Sequence, residues 1–561
     1  MSDKKKDESA ARLIVKNLEA HGVKDVIGIP GAKIDRLFDE LADSSIRTIV
    51  ARHEQNASFI ASGLGRITGK AGVAITTSGP GVTNLVTGMA TATSEGDPML
   101  AIGGAVGRAD LVKLTHQSLD TVSLMRPVAK FSSLIGAPNA TSEIVSNALR
   151  AAEGGRPGAA FVSVPMDVLN LPANAPVMGG IDAPPPGPAP HDLIASAARM
   201  IKSAKRPVVL LGMLASTPEN AQATRKFIRQ CGLPVVGCYQ ATGVMDKELF
   251  NWWGGRIGLF RNQYGDLLLE KSDLVITVGY NPIEYDPVLW NLHPDRPIVN
   301  VDVVPAELDN SFMPTSELIG SIADTMSLLA DETGKLTAAP EMTGILETYH
   351  RSLKEVYNTI TPPARNTLHP LEIVHVLQDF ITPDMTLCFD MGSFHIWLAR
   401  YLYVFRARQI LISNGQQTMG VGLPWAIAAT LVAPHQKALS ISGDGGFMMS
   451  AMELETAVRL KSNIIQIVWI DEHYNMVEIQ EKKKYGRGTG VSFGPINFAE
   501  LANSMGAKGI NVQNVDELKA ALKVGMETEG PVLIAIPVDY TDNPSLMKPL
   551  PELGGTTSAS A

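Results

Sequence analysis

Asp444 and Asp471 are the residues through which this 561-residue chain first shows a capacity for chemistry. Each follows an apolar run: Ala438 to Ile441 leads into Gly443-Asp444-Gly445-Gly446, and residues 464–470 close on Asp471. Between them lies an amphipathic segment with Ser450 and Glu453 spaced as a capping box. The pattern predicts a strand, a crossover helix and a parallel strand. Both carboxylates then stand at carboxyl ends of strands, the edge where open parallel sheets bind ligands, and can converge on one hard cation. Glycines 443, 445 and 446 keep side chains away from a bulky anion, and the helix start beyond them favours negative charge. A magnesium-bridged diphosphate suits such a place. A Gly-Asp-Gly turn by itself serves any tight turn; an acid at the end of the next strand tips the reading toward chemistry.

A second acid of interest is Glu54. The run Thr48-Ile49-Val50-Ala51-Arg52-His53 reads as a strand and residues 56–67 as an amphipathic helix, so Glu54 falls in the turn between them, again at a ligand-facing sheet edge. His53-Glu54 does not begin a zinc-protease helix, because no second His follows at the required spacing. Taken alone, Glu54 also fits a helix N-terminus, where acids are favoured.

The elements that must position these residues follow from composition and breaks. Hydrophobic residues at 45% and charged residues at 19% describe a globular chain with a large core. The net charge is −9, with short basic clusters only at Lys4 to Lys6 and Lys482 to Lys484, so nucleic acid is not an expected partner. Cys231, Cys238 and Cys388 form no C-x-x-C pair, which suits a reducing compartment. The N-terminus lacks a signal-peptide apolar stretch, and the longest apolar tract, residues 421–434, is too short for a bilayer. A cytoplasmic protein without a membrane partner is expected. Proline-rich breaks at 179–192 and 359–370 divide the chain. The expected architecture is α/β, three doubly wound parallel-sheet domains at 8–180, 190–345 and 365–545, then a tail at 546–561, with partial disorder from Thr541 onward. Strands are expected at 26–30, 48–53, 73–77, 99–103 and 160–164; at 208–212, 235–237, 274–279 and 298–301; and at 387–390, 410–413, the two runs around Asp444, and 532–536.

With the Asp444 and Asp471 pair in place, Glu54 and its setting resemble the thiamine diphosphate enzymes. Further stretches narrow the resemblance: Gly28-Ile29-Pro30-Gly31, the run from Ser78 to Asn84, His116-Gln117-Ser118 and the run from Phe389 to Trp397. Each is an ordinary turn in isolation. Together they resemble the catabolic, FAD-independent acetolactate synthases over nearly the full length.

The resemblance implies roles residue by residue. The 8–180 unit would be the pyrimidine-binding domain, 190–345 the central one and 365–545 the diphosphate-binding one. Asp444, Asp471 and the His473 carbonyl would hold Mg2+. Gly28, Pro30, Gly392, Ser393, Gly443, Gly445, Gly446, Tyr474 and Met476 would contact thiamine diphosphate, with Phe394 and His395 as further candidates. The Gln417 carbonyl would accept from the cofactor's 4′-amino group, and Met419 would wedge between its rings, although most methionines merely fill cores. Glu54 would share a proton with N1′ of the pyrimidine, which calls for a dry setting that raises its pKa. Gln117 would lie near the reacting centre. In the family, Glu54 and the diphosphate site come from different subunits, so a homo-oligomer is implied: a dimer with shared active sites, pairing further into a tetramer.

Two departures sharpen the expectation. Many family members carry Asn and Gly where Asp471 and His473 stand, which makes this metal shell more anionic. Biosynthetic relatives hold FAD through an arginine- and aspartate-rich segment, whereas here the stretch reads Gly279-Tyr280-Asn281-Pro282-Ile283-Glu284-Tyr285-Asp286. Without charge-assisted partners for a flavin diphosphate, no FAD is expected. Gln480 stands where those enzymes place a tryptophan favouring 2-ketobutyrate, so pyruvate is expected as donor and acceptor. Lys482 to Lys484 reads better as a solvated face than as an anion guide. The implied reaction decarboxylates pyruvate and ligates the resulting hydroxyethyl carbanion to a second pyruvate, giving 2-acetolactate and CO2, on a fermentative acetoin and butanediol route. Pyruvate oxidase, a simple decarboxylase, or an inactive cofactor-retaining regulatory subunit share the three-domain plan and stay open at this point.

Overall fold

The computed structural model describes residues 8–180, 184–360, 363–364 and 366–553. The Lys4 to Lys6 cluster, parts of both proline-rich breaks and the end of the tail lie outside the described residues. The chain builds three six-stranded sheets. The first holds β1 (Asp25–Ile29), β2 (Arg47–Val50), β3 (Gly72–Thr76), β4 (Met99–Ala105), β5 (Phe131–Leu134) and β6 (Ala159–Pro165). The second holds β7 (Pro207–Leu211), β8 (Val235–Gly237), β9 (Trp253–Arg256), β10 (Leu274–Val278), β11 (Ile298–Asp302) and β12 (Ser316–Ile319). In the third are β13 (Thr386–Phe389), β14 (Ile410–Ile412), β15 (Ala438–Gly443), β16 (Ile464–Ile470), β17 (Lys508–Asn511) and β18 (Val532–Pro537).

Every strand pair is parallel, so helices must cover both faces, and central strands such as β3, β4, β7 and β10 are buried at every residue. The first and third sheets share one order, β2-β1-β3-β4-β6-β5 and β14-β13-β15-β16-β18-β17. Their strand order reverses between β1 and β3 and between β13 and β15, which opens a crevice at the carboxyl edge. The second sheet runs β12-β11-β10-β7-β8-β9, with its reversal between β7 and β10.

Three expectations are corrected. Helix Pro340–Glu355 runs through the expected limit at residue 345, and Met342, Leu346 and Tyr349 lie in the second sheet's cores, so that unit continues at least to Glu355. Ser450 and Glu453 do not form a capping box: helices Asp444–Met448 and Glu453–Arg459 are separate, the Ser450 hydroxyl has no partner, and Glu453 turns to the first domain. Nor is the chain loose just after Thr541. A 3-10 turn at Asn543–Met547 buries Asn543, which accepts from the Trp397 indole at 2.7 Å. Among the described residues no helix is long and apolar enough to cross a membrane.

The first and third domains pack helix Glu54–Thr68 against helix Gly422–Val432. Gly63 permits the close approach, since a Cβ there would stand 2.8 Å from the Trp425 ring and 2.9 Å from Ala428. Arg66, buried in this interface, makes a two-pronged ion pair with Asp97 at 2.7 and 2.8 Å, donates to the Ile412 carbonyl at 2.8 Å, and lies 4.4 Å from the Trp425 ring centre. Burial and the loss of its partner would leave Asp97, already pushed up to about 6 by desolvation, with an unmatched charge. Arg66→Ala is expected to lower the unfolding free energy by about 3–5 kcal/mol, the usual cost of breaking a buried pair from one side. Urea titration followed by fluorescence measures it; a midpoint equal to the parent's would show that Arg66 and its contacts add nothing to stability.

Candidate functional site

In the first domain, β2 ends at Val50 and helix Glu54–Thr68 starts on Glu54 itself. The helix cap is His53, whose Nδ1 accepts from the Gln55 N–H at 3.1 Å, which frees the Glu54 carboxylate from capping. Glu54 instead accepts from the Asn84 amide at 3.0 Å. Asn84 ends the short helix after β3, next to Gly79 and Gly81, where a Cβ at Gly81 would stand 3.7 Å from Glu54 Oε1. Gln117 folds onto the same turn: Ser78 donates to its side-chain oxygen at 2.7 Å, and a Cβ on Gly79 would press within 2.9 Å of it. The sequence therefore brings Glu54, Asn84 and Gln117 to one crevice edge. His116 is exposed.

The third domain gathers acids at its own switch point. Asp444, nearly buried, begins the turn of helix after β15, and its Oδ2 accepts from the Asp471 N–H at 3.1 Å and the Glu472 N–H at 2.7 Å. Burial raises its pKa. Asp471 is pushed up to about 7 by burial and then by the Asp444 charge beside it, with opposing bonds from the His473 N–H and Asn475. Two desolvated acids facing each other have the donor set of a hard-ion site, and the His473 backbone belongs to the same turn. Among the described residues no group of three or more His, Cys, Asp and Glu side chains is placed to hold a metal, so a divalent ion here relies on two carboxylates plus backbone oxygen.

Opposite them, helix Ser393–Tyr401 starts at Gly392. Ser393 donates to Asn475 at 2.8 Å, and Asn543 donates to the same oxygen at 2.7 Å. A helix start, a hydroxyl and the open face of Gly443, where a Cβ would meet nothing closer than 3.5 Å, fit a diphosphate. The neighbouring glycines have another reason. A Cβ on Gly445 would strike the Tyr474 ring at 2.7 Å, and one on Gly446 would come within 3.1 Å of the Asp390 carboxylate. Phe394 packs into the core against Trp469. His395 is buried edge-on against Tyr239, donates from Nδ1 to the Gly392 carbonyl at 2.7 Å, and is held down to about 4 by desolvation, hence neutral at pH 7.

A loop after β14 carries Gln417 and Met419. Gln417 is exposed with φ of 49°, and Met419 is half-buried against the third-domain core. Asp390, at the end of β13, receives the N–H of Gly420 at 2.8 Å and is pushed up to about 6 by burial. Of six non-glycine residues with positive φ among those described, Gln117, Gln417 and Glu472 belong to these crevices. Strain at that density marks functional edges.

The other expected residues sort differently. Gly28 lies inside β1, where a Cβ would overlap the Ile75 carbonyl, so strand packing explains the glycine without a ligand; Pro30 is exposed just beyond. Tyr474, Val477 and Gln480 are exposed on or beside helix Asn475–Tyr485, which buries none of its residues, while Met476 packs partly on the core. Lys482, Lys483 and Lys484 are exposed, and Lys482 pairs with Glu478 at 2.9 Å, the bland reading. Sequence reasoning missed Asn84, Asn475, Asn543 and Asp390. Asp390 alone carried a signal, being one more acid after an apolar run.

The second domain's crevice is filled from within. A Cβ on Gly212, after β7, would run into Tyr280, Gly279 and the Glu284 carboxyl at 2.3–2.6 Å. Glu284 Oε1 accepts the N–H groups of Met213 at 2.9 Å and Asn281 at 3.1 Å, its other oxygen has no partner, and desolvation pushes it up to about 8. Its own carbonyl accepts from Asn414, at 2.6 Å, on the Gln417 loop. A separate cavity of about 950 Å³, lined by Phe250, Trp252, His350, Tyr357, Tyr403 and Phe405, lies between the second and third domains.

Comparison with known proteins gives three matches along the chain: the thiamine pyrophosphate enzyme N-terminal TPP binding domain over residues 8–124, the central domain over 194–329, and the C-terminal TPP binding domain over 390–536. The chain is 52% identical over 541 residues to the catabolic acetolactate synthase of Raoultella terrigena, covering 96% of both chains. It is 48% identical over 536 residues to the acetolactate synthase of Bacillus subtilis (strain 168), covering 96% of this chain and 94% of that one. To the acetolactate synthase isozyme 1 large subunit of Escherichia coli (strain K12) the identity is 30% over 553 residues, 96% of each.

The plug in the second domain has a pH signature. Glu284 has a folded value near 8 against an ordinary 4.5, so folding favours its neutral form. The unfolded chain ionises above 4.5, and stability from this residue therefore falls as pH rises from about 4.5 to 8, then levels off. Glu284→Gln keeps an acceptor for both N–H groups and removes the titration. Relative to that variant the parent is expected to lose roughly 2–4 kcal/mol of stability across the window, at up to about 1.4 kcal/mol per pH unit. Urea unfolding of both proteins at pH 5 and 8.5 reads it, and parallel profiles would contradict a neutral, buried Glu284.

Proposed function

The chain belongs to the thiamine pyrophosphate enzyme family, and we propose that it is an acetolactate synthase that joins two pyruvates. Carrying the reading is one observation: strand-end acids at the third-domain switch point and Glu54 at the first, in a chain matched over 96% of its length by a catabolic acetolactate synthase. The balance is two pyruvate anions and one proton giving one 2-acetolactate anion and CO2.

Asp444 and Asp471 would hold Mg2+ with the His473 carbonyl, and a bound ion would offset the burial and the neighbouring Asp444 charge that raise Asp471. Gly392, Ser393 and Gly443 receive the diphosphate. The cofactor, when bound, supplies the electron sink that lets a 2-oxo acid lose its carboxylate. Glu54 exchanges a proton with the pyrimidine ring, and Asn84 fixes the direction of its carboxylate. The Gln417 carbonyl and Met419 orient the ring system. Gln117, locked by Ser78, faces the substrate, and Gln480 lines the acceptor side, where its size admits pyruvate.

The domain limits follow the sequence reading, with the central unit extended to Glu355. FAD has no part. Support comes from the central crevice, where Glu284 and Tyr280 take the space and the N–H groups that a nucleotide phosphate would need. The active form is a homodimer or a tetramer of such dimers. In one chain Glu54 bonds to Asn84, inside its own domain, whereas the metal acids stand in another. Val112 at 92% and Leu114 at 108% exposure, close to Gln117, together with exposed Tyr474 and Val477, are apolar groups that a second copy would cover. Buried, unpaired Cys231, Cys238 and Cys388 support a cytoplasmic setting. The product suits a fermentative route to acetoin and butanediol.

The purified chain with pyruvate, thiamine diphosphate and Mg2+ is expected to release acetolactate and CO2 at one rate with or without FAD. Acetaldehyde as product, a need for flavin, or no turnover would each replace this reading by a decarboxylase, an oxidase or a regulatory subunit. Glu54→Gln should keep its fold by circular dichroism and lose about 10²–10⁴-fold in kcat, the usual weight of positioned acid–base help.

A further inference from the structure

We propose that Glu95 of the first domain is a positioning residue for the third-domain loop that carries Gln417 and Met419; the proposal rests on the reading of those two as cofactor contacts. Glu95 is the last residue of helix Val86–Glu95, and Gly96 follows with φ of 68°. A carboxylate at a helix C-terminus faces the negative end of the dipole, and at 2% exposure water does not solvate it. Its own helix gives this side chain no reason to be there.

The reason lies across the domain boundary. Glu95 Oε1 accepts from the Ser413 hydroxyl at 2.9 Å, the Gly415 N–H at 2.9 Å and the Gln416 N–H at 3.3 Å. Oε2 accepts from the Asn414 N–H at 3.1 Å and from the Gln240 amide of the second domain. Arg66 completes the shell at 4.0 Å. Four consecutive residues of one loop are thus wrapped around one acid, three through backbone N–H groups as an anion nest and Ser413 through its hydroxyl. The same helix touches the loop twice more, through Thr91 to Thr418 at 2.8 Å and through Ser94 to Gln416 at 2.9 Å.

What the nest fixes is the residue after it. Ser413 also accepts from the Thr418 N–H at 3.0 Å, closing the loop into a ring with Gln417 at its tip in the left-handed region. Asp390 fastens the far end at Gly420 and Glu284 holds Asn414. Interdomain adhesion alone would not need this pattern, because Arg66 already donates to the Ile412 carbonyl at 2.8 Å and Arg408 to the Arg66 carbonyl at 2.7 Å across the same boundary. Glu95 accepts its hydrogen bonds from three N–H groups and one hydroxyl of the loop and from one bridging amide. It sets where the Gln417 carbonyl and the Met419 side chain point without touching what they hold.

The test uses the full-length protein with Glu95→Gln, which keeps the volume and removes one acceptor oxygen, and Ser413→Ala, which removes the hydroxyl that donates to Glu95 and accepts from the Thr418 N–H. Amide hydrogen exchange is read on the cofactor-free chain, and kcat, KM for pyruvate and the affinity for Mg2+ with thiamine diphosphate on the loaded one. For Glu95→Gln, exchange at residues 413–420 should rise about 10-fold or more and kcat fall roughly 10- to 100-fold, since small misplacements of positioning groups cost that much. KM and cofactor affinity should move less than about 3-fold, because the diphosphate end is untouched. Ser413→Ala should shift both readouts the same way by about 3- to 10-fold, and it decides the matter if Glu95→Gln does not fold. Unchanged loop exchange and kcat within twofold of the parent overturn the proposal. So does exchange that rises evenly through the chain with kcat per folded site intact, the mark of adhesion only. A parent protein that makes no acetolactate would sink the functional reading instead, while the exchange result would still judge the loop.

Discussion

The architecture depends on carboxylates that the first and third domains bury in each other's territory. Glu95 leaves the first domain for the loop after β14, and Glu453 leaves the third for the turn after β2. Glu453 is fully buried, and its Oε1 accepts the N–H groups of Arg52 and His53, at 3.0 and 3.2 Å, with the Asn56 amide at 3.1 Å. These donors lie immediately beside Glu54. The exchange is reciprocal: a third-domain acid sets the start of the helix that presents Glu54, and a first-domain acid sets the loop that presents Gln417. Backbone N–H groups at turns and helix starts are orphan donors, and a buried acid from a neighbour satisfies several at once. Neither crevice has its full shape unless the other domain is folded against it.

Three sheets of similar build put their switch points to different uses. Parallel strands that reverse order leave a crevice whether or not a ligand comes. In the first domain the crevice edge carries one acid and two amides, in the third it carries acids and a helix start, and in the second Glu284 closes it. The closure is chemically consistent, since a neutral carboxyl in a dry crevice occupies the same N–H groups that would bind a phosphate without bringing a charge that needs solvation. It also turns the second domain into a support, because the closing turn holds Asn414 and Gln240 reaches Glu95.

The sequence made much of this legible. Buried central strands announce themselves as apolar runs, and each of the fourteen strands expected from such runs was found within a few residues. The four that escaped, β5, β9, β12 and β17, are all sheet edges. Their sequences, FSSL, WGGR, SELI and KGIN, carry little continuous apolar surface because an edge strand is covered less or relies on glycine. Asp444 and Asp471 stood out as two acids at the ends of successive apolar runs that can share one cation, and Glu54 as an acid in the turn between an expected strand and helix. Glu95 and Glu453 did not, since each ends or begins a helix like any solvated acid, and only the fold brings them to partners 318–401 residues away. The expected Ser450 capping box failed for the same reason: Glu453 had a stronger claim on donors in another domain.

The positive-φ residues show what these grips are for. A side chain other than glycine in the left-handed region costs about 1–3 kcal/mol and persists only where the surroundings over-determine it. Glu472 is held by the Asp444 carboxylate through its N–H, Gln117 by Ser78, and Gln417 by a loop closed on Glu95 at one end and Asp390 at the other. In each case the fixing group is a buried polar atom whose own burial is unfavourable without those donors. The two penalties cancel only in one geometry. A site assembled this way has its hydrogen-bonding directions set before any ligand arrives, and positioning achieved in advance is what lets binding energy act on the reaction rather than on ordering the protein.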